Sequence, residues 1–191
     1  MKQRLGEKIK MLSVDELLGV PTGDPVTDIL VEKIYPFEGH PFKVVDDEKM
    51  EELVESIEHN GVLTPVIVRP DDEGGYEMIS GHRRLFAAKK VGLLVIPATI
   101  KEMTDDDAVI AMVDSNIQRE EILPSEKAFA YRMRYEAMRR KTGRPSKNSS
   151  QIETNLRADE ALAEQVGESR AQVQRFIRLT EVIPELLDLI D

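Results

Sequence analysis

The sequence predicts an α+β fold, a small mixed α/β domain followed by an all-helical one, on three observations. Up to residue 104, β-branched runs bounded by turn residues alternate with stretches of helical periodicity. Beyond it, every periodic segment spaces its apolar positions by three and four. Breaks rich in Pro, Gly, Ser and Asn set off an N-terminal tail and divide the helical part in two. With 191 residues, 41% hydrophobic and 32% charged, the chain has room for two small domains with real cores in water.

Residues 1–25 read as a tail or linker: Ser13–Leu18 is a short helix-like piece ended by Gly19, and Pro21, Gly23 and Pro25 break the chain beyond it. The mixed domain is expected over 26–104. Ile29–Ile34 reads as a strand stopped by Tyr35-Pro36, and Asp47–Glu58 as a helix with Met50, Leu53, Val54 and Ile57 inward and Asn60-Gly61 as its stop. Pro65–Arg69 and Tyr76–Ile79 are strands joined by the turn Asp71–Gly75. Ser80-Gly81 opens a helix from His82 to Val91 closed by Gly92, and Leu94–Ile100 is a further strand. The helical domain is expected over 105–191, with helices at Asp105–Ser115, Ser125–Arg140 and from Asp159 onward, and a polar loop over Lys141–Asn155. A last helix begins near Pro184 with Leu186, Leu187, Leu189 and Ile190 still apolar, which reads as a chain cut short.

No apolar run reaches membrane-spanning length and the start MKQRLGEKIK lacks a signal peptide's apolar stretch, so a cytoplasmic protein without a membrane partner is expected. The absence of Cys excludes disulfides, thiolate zinc sites and cysteine nucleophiles. The net charge of -10 argues against nucleic acid at first sight, yet the charge is unevenly spread. Lys127, Arg132, Arg134, Arg139, Arg140, Lys141, Arg144 and Lys147 share their stretch with a single acid, Glu136. Local charge governs phosphate contact because salt screens fields beyond about 8–10 Å. The acidic runs Asp46–Glu48, Asp71–Glu73 and Asp105–Asp107 are expected to be solvated loops and helix starts.

A helix-turn-helix is expected at about 159–178. Ala158–Val166 is a short helix with Leu162 and Val166 on one face, Gly167 suits a sharp turn, and Ser169 caps the next helix. There Val173, Phe176 and Ile177 form the buried stripe; Ala171, Gln174, Arg175 and Arg178 point away, with Arg170 and Gln172 at the borders. Arg pairs in bidentate fashion with guanine and Gln with adenine, so this face is equipped to read a major groove. The candidate DNA contacts are Ser169, Arg170, Gln172, Gln174, Arg175 and Arg178, together with Arg139, Arg140, Lys141 and Arg144. The plainer alternative is a helical hairpin with a solvated polar face.

Two further elements bear chemistry. Ser80-Gly81-His82-Arg83-Arg84 stands where a strand hands over to a helix, and free N–H groups, the helix dipole and two guanidinium forks suit phosphate there. A surface-exposed basic turn pairing with acidic loops is the alternative. Asp114-Ser115-Asn116-Ile117-Gln118-Arg119-Glu120 is expected between two helices; Asp114 and Asn116 offer oxygens suited to magnesium, and Gln118 and Arg119 can meet phosphate or base. A polar loop in which Asn116 caps and Arg119 pairs with an acid fits equally. His40, His59 and His82 are scattered and form no metal cluster, His59 being a helix-end residue.

In order, Gly81-His82-Arg83-Arg84-Leu85-Phe86-Ala87-Ala88, Ser115–Ala128 and the helix-turn-helix resemble the ParB family of chromosome and plasmid partition proteins over about Ile29–Asp191. The resemblance implies a ParB/sulfiredoxin-like domain ahead of the helical DNA-binding domain. It also implies double-stranded DNA with a palindromic site, a homodimer, a partition ATPase as partner, and CTP with magnesium bound between protomers to close a sliding clamp. Carried over, Gly81, His82, Arg83, Arg84, Asn116, Gln118 and Arg119 form the nucleotide site, Asn116 and Asp114 hold the metal, and closure engages the helices around Glu126–Met138. Two positions depart from the pattern: His82 and Ser115 stand where the family usually has Glu, so Asp114 is left to supply the metal's carboxylate. At most a slow CTP hydrolase is implied, and sulfiredoxin activity is excluded without Cys. The competing functions are a ParB-like transcriptional regulator and a metal-dependent nuclease, which needs converging carboxylates.

Overall fold

The structure is a computed structural model that describes residues 24–72, 74–117, 122–141, 151–181 and 191, with side chains at all of these but 151–157. Residues 26–100 build a five-stranded mixed sheet from β1 (Val26–Leu30), β2 (Ile34–Tyr35), β3 (Val66–Pro70), β4 (Tyr76–Ser80) and β5 (Val95–Ile100) in the order β1-β5-β3-β4-β2. β1 lies antiparallel to β5 and β3 to β4, whereas β3–β5 and β2–β4 are parallel.

The single strand expected over Ile29–Ile34 is in fact two strands separated by a 3-10 turn, Val31–Lys33, and these two are the opposite edges of the sheet. Four inter-strand steps of about 4.8 Å would set the edges of a flat sheet about 19 Å apart. The four-residue step from Leu30 to Ile34 spans about 14 Å even when fully extended. The sheet must therefore curl. The turn is pinned where Val31 donates its N–H to the Leu94 carbonyl at 3.0 Å.

Helix α1 (Glu48–Asn60) follows the expected pattern: Asp47 accepts the Met50 N–H at 2.9 Å as N-cap, Met50 and Ile57 are buried, and Gly61 ends it at φ 68°. It shares a core with α2 (His82–Val91) and the concave sheet, built around Ile34, Val66, Val68, Met78, Ile96 and Ala98. Each such side chain contributes about 1.5–3 kcal/mol on burial.

Beyond the sheet lie α3 (Asp105–Ile117), α4 (Pro124–Lys141), α5 (Gln151–Val166) and α6 (Arg170–Leu179). α3 rests Ala108, Met112 and Val113 against Ile79 of β4 and Ala130 of α4. The next residue of α4, Tyr131, belongs to a different core with Leu162, Ala163 and Val173. α4 thus serves two cores at once, which explains why it buries residues as varied as Glu126, Ala130, Tyr131 and Arg134 around its circumference.

Two boundaries differ from expectation. α3 runs on to Ile117, so Asp114–Ile117 are its last turn and not an interhelical loop. α5 begins at Gln151, inside the expected polar loop, and is a 16-residue helix and not a short one. Ser and Asn favour caps and turns, but Gln151, Glu153, Leu156 and Arg157 are good helix formers and carry the helix back. The helix-like piece at Ser13–Leu18, the helix expected near Pro184, and Gln118, Arg119, Arg144 and Lys147 lie outside the described residues. Among the described residues no helix is long and apolar enough to cross a membrane.

Candidate functional site

The turn between α5 and α6 is built as its residues dictate. Gly167 takes φ 68°, the Glu168 N–H returns to the Ala163 carbonyl at 3.1 Å, and Ser169 and Gln172 form a reciprocal capping box. Val173 has no exposure, and Phe176 packs edge-on against Tyr131 with ring centroids 5.6 Å apart. Lys127 sits 4.8 Å above the Phe176 ring and pairs with Glu168. The Tyr131 phenol is pushed well up, first by burial and then by the charge and hydrogen bond of Glu168. α6 is thereby fixed by its inner face.

Its outer face exposes Ala171, Arg175 and Arg178, with Gln174 half-buried. Among the described residues no ion pair holds Arg175 or Arg178. A shallow groove of about 270 Å³ runs between Gln172, Arg175, Phe176 and Leu179. Ser169 and Gln172 are committed to the cap, and Arg170 places Nε 3.4 Å from the buried Asp159.

The basic stretch on α4 is not an unopposed patch, because acids distant in sequence meet it. Arg134, itself buried, pairs with Asp114; Arg140 pairs with Asp106 at 2.6 Å; Lys141 pairs with Asp107; Arg132 meets Glu136 at 3.0 Å; Arg139 hydrogen-bonds Tyr135. The acidic runs are correspondingly not merely solvated. Asp105, Asp106 and Asp107 go to Arg69, Arg140 and Lys141 respectively, and Asp46 pairs with Lys90 at 2.5 Å. Three carboxylates drawn to three separate cations do not converge on a metal-dependent cleavage site.

At the start of α2, Gly81 adopts φ 113°, and a Cβ there would lie 2.7 Å from Val66 Cγ1. Gly81, as N-cap, brings no side-chain acceptor to the first turn of the helix. Arg83 reaches Asp47 at 3.3 Å and is a third exposed. Arg84 donates to the carbonyls of Thr64 and Pro65 at 2.5 and 2.7 Å, and burial lowers its pKa. The histidines are not all scattered: His82 is buried and stacks on His40, their ring centroids 3.7 Å apart and tilted 35°. His59 does sit at a helix end, its Nδ1 2.8 Å from the Glu55 carbonyl oxygen. Among the described residues no three His, Cys, Asp or Glu are grouped to hold a metal.

Glu126 is a residue that sequence reasoning used only as a helix marker. Buried at the start of α4, it accepts the Lys43 N–H at 2.7 Å and the Leu123 N–H at 3.4 Å, joining the loop that carries His40 to the helical part. Local pattern gives no sign of a contact spanning 83 residues. Asn116 stands in the last turn of α3. Asn116 is buried and donates to the Met112 carbonyl at 2.8 Å and to Ser115 Oγ at 3.1 Å, leaving only its Oδ1 as a ligand.

Residues 20–117 match the family of the ParB N-terminal domain. The nucleoid occlusion protein of Lysinibacillus sphaericus is 31% identical over 180 residues, 94% of this chain and 55% of that protein. The chromosome-partitioning protein Spo0J of Thermus thermophilus is 32% identical over 176 residues, 92% and 58% of the two. A C-terminally truncated ParB of Caulobacter crescentus, solved complexed to the centromeric parS site, shares the fold at a TM-score of 0.53 and 24% identity, over 85% of this chain and 75% of that one. This chain spans little more than half the length of the curated relatives it matches. Matched by the family over just over half of its length, the chain belongs to the ParB family.

Proposed function

We propose that the chain is a DNA-binding protein of the partition type, in which α6 reads a duplex and the N-terminal turn of α2 binds the phosphates of CTP. One observation carries the DNA half: α6 presents Arg175 and Arg178 without an opposing acid among the described residues, on a helix whose other face is fixed by Val173 and Phe176. Rigid arginines at groove depth are what guanine and phosphate recognition require. Arg140 and Lys141 are about half exposed, and such pairs are worth about 0–1 kcal/mol, so both can exchange Asp106 and Asp107 for phosphate cheaply. The relatives' names speak of the nucleoid and the chromosome, and a protein of this fold was solved on its parS site, which supports the same reading. A homodimer on a palindromic site and a partition ATPase as partner go with it.

The test is DNA affinity against salt, which should fall steeply as phosphates are neutralised. Arg175→Ala should weaken specific binding more than non-specific binding. An unchanged sequence preference in that variant would contradict the assignment of α6.

For the nucleotide half, the N-terminal turn of α2, where Gly81 brings no side-chain cap, and Arg83, held by one long contact, suit a phosphate chain. Arg84 serves the site by fixing the Thr64–Pro65 loop beside it. Gln118 and Arg119 complete the proposed set. Closure of two protomers into a clamp is the step the family resemblance attaches to this site. Magnesium does not fit the donor set as it stands: Asp114 is engaged by Arg134 and Asn116 offers a single oxygen, so no step is derived through the metal. Calorimetry with CTP, GTP and ATP should give heat with CTP alone, lost in Arg83→Ala. No heat with any nucleotide would remove this half and leave the DNA half standing.

A further inference from the structure

We propose that Asp159 is a positioning residue for DNA readout, a buried carboxylate that orients Arg170 on the reading helix. The inference rests on the DNA-binding reading above and deepens it. Asp159 lies on α5 and is 4% exposed, a place where carboxylates are rare unless paired. Its Oδ2 faces Arg170 Nε at 3.4 Å, and its Oδ1 is buried without a hydrogen bond among the described residues. Arg170 is the first residue of α6 and its side chain is 45% exposed.

Tyr135 of α4 stands beside the same carboxylate. Burial chiefly raises its pKa and the Asp159 charge adds to this, while Arg139, which hydrogen-bonds the phenol, and Arg170 oppose it. The Asp159 carboxylate thus faces Arg170 of α6, while Arg139 of α4 holds the neighbouring Tyr135 phenol; the sequence marks both arginines as DNA contacts. A free arginine must give up most of its rotamer freedom to meet a base pair squarely. Anchoring Nε on Asp159 removes part of that cost in advance and leaves the two Nη groups, the pair that fits guanine O6 and N7.

The experiment uses the whole chain and a duplex that the wild-type protein selects from a randomised library, with a scrambled duplex of equal length. Preference is the ratio of the two Kd values, measured by fluorescence anisotropy for wild type, Asp159→Asn, Arg170→Ala and the double variant. Asp159→Asn, close in shape, should lower preference by about tenfold while non-specific affinity holds or rises, and the double variant should lose no more than the worse single one. Full preference in Asp159→Asn, or losses that multiply in the double variant, overturns the inference. If Asp159→Asn does not fold, the Nε–H of Arg170 in the wild-type protein decides by NMR: exchange much slower than at Arg178 supports the anchor, and equal exchange overturns it. A wild-type protein that selects no duplex overturns the DNA reading and the inference with it; one with full preference and an indifferent Asp159 overturns the inference alone.

Discussion

Replacing Gly81 by Ala tests whether the turn at the head of α2 is as tightly fitted as its geometry states. The backbone there stands at φ 113°, a conformation that costs an L-residue about 1–2 kcal/mol. The new methyl would arrive 2.7 Å from Val66 Cγ1 and 3.1 Å from Val66 Cβ, and Val66 has no exposure and no room to retreat between β4 and β5. Overpacking of a filled core costs about 1–3 kcal/mol more, so the sum is about 2–5 kcal/mol. Urea denaturation at unchanged m-value measures it directly. Val66→Ala removes Cγ1 and opens a cavity of its own, which the methyl introduced by Gly81→Ala would then enter. The double variant should accordingly be more stable than the two single effects predict, by about 1–3 kcal/mol, while the backbone cost remains. Gly81→Ala within about 0.5 kcal/mol of wild type, or strict additivity with Val66→Ala, would refute the close fit.

Glu126→Ala leaves the part-buried N–H groups of Lys43 and Leu123 without their acceptor and should destabilise by about 1–3 kcal/mol in the same assay, with Glu126→Gln intermediate. Tyr131, whose phenol is raised above its ordinary 10.0, predicts an alkaline loss of stability. Below pH 10 both states keep the proton; above it the unfolded chain gives the proton up while the folded one retains it, so stability falls by up to about 1.4 kcal/mol per pH unit. Thermal melts of Tyr131→Phe should lack this component, and parallel alkaline curves for the two proteins would contradict it. Asp107, depressed mainly by Lys141 and then by Thr104, contributes stability above its ordinary 3.8 that is lost as pH falls through its lower folded value. The gap in Tm between wild type and Asp107→Asn should close in that acid range and be constant near neutrality.

Much of the fold is legible in local chemistry. Asp47 caps α1, Gly92 closes α2, and Ser169 with Gln172 opens α6, because each device works over three or four residues. Partnerships across the chain escape such reading. Nothing near Ile29–Ile34 announces that its two halves will pair with β5 and β4 on opposite edges. The basic run of α4 looks unopposed along the sequence and is met by Asp106, Asp107 and Asp114 only once α3 lies alongside it. The same holds within the candidate site: the Gly81 turn and the outward arginines of α6 follow from spacing, whereas the His40–His82 stack, the Glu126 link and the Asp159–Arg170 contact join residues 42, more than 80 and 11 positions apart. Residue type likewise does not show that Arg84 Nη1 donates to the carbonyls of Thr64 and Pro65, 20 and 19 positions away.

The DNA-binding reading and the positioning role of Asp159 both depend on α6 reading DNA. Selection from a randomised duplex library, with wild type and Arg175→Ala run side by side at about 0.1 M salt, measures that directly. Wild type should enrich a palindromic site, and Arg175→Ala should lose the enrichment at one position in each half-site while still binding duplex. Identical motifs for the two proteins, or no enrichment by wild type, would contradict the reading of α6.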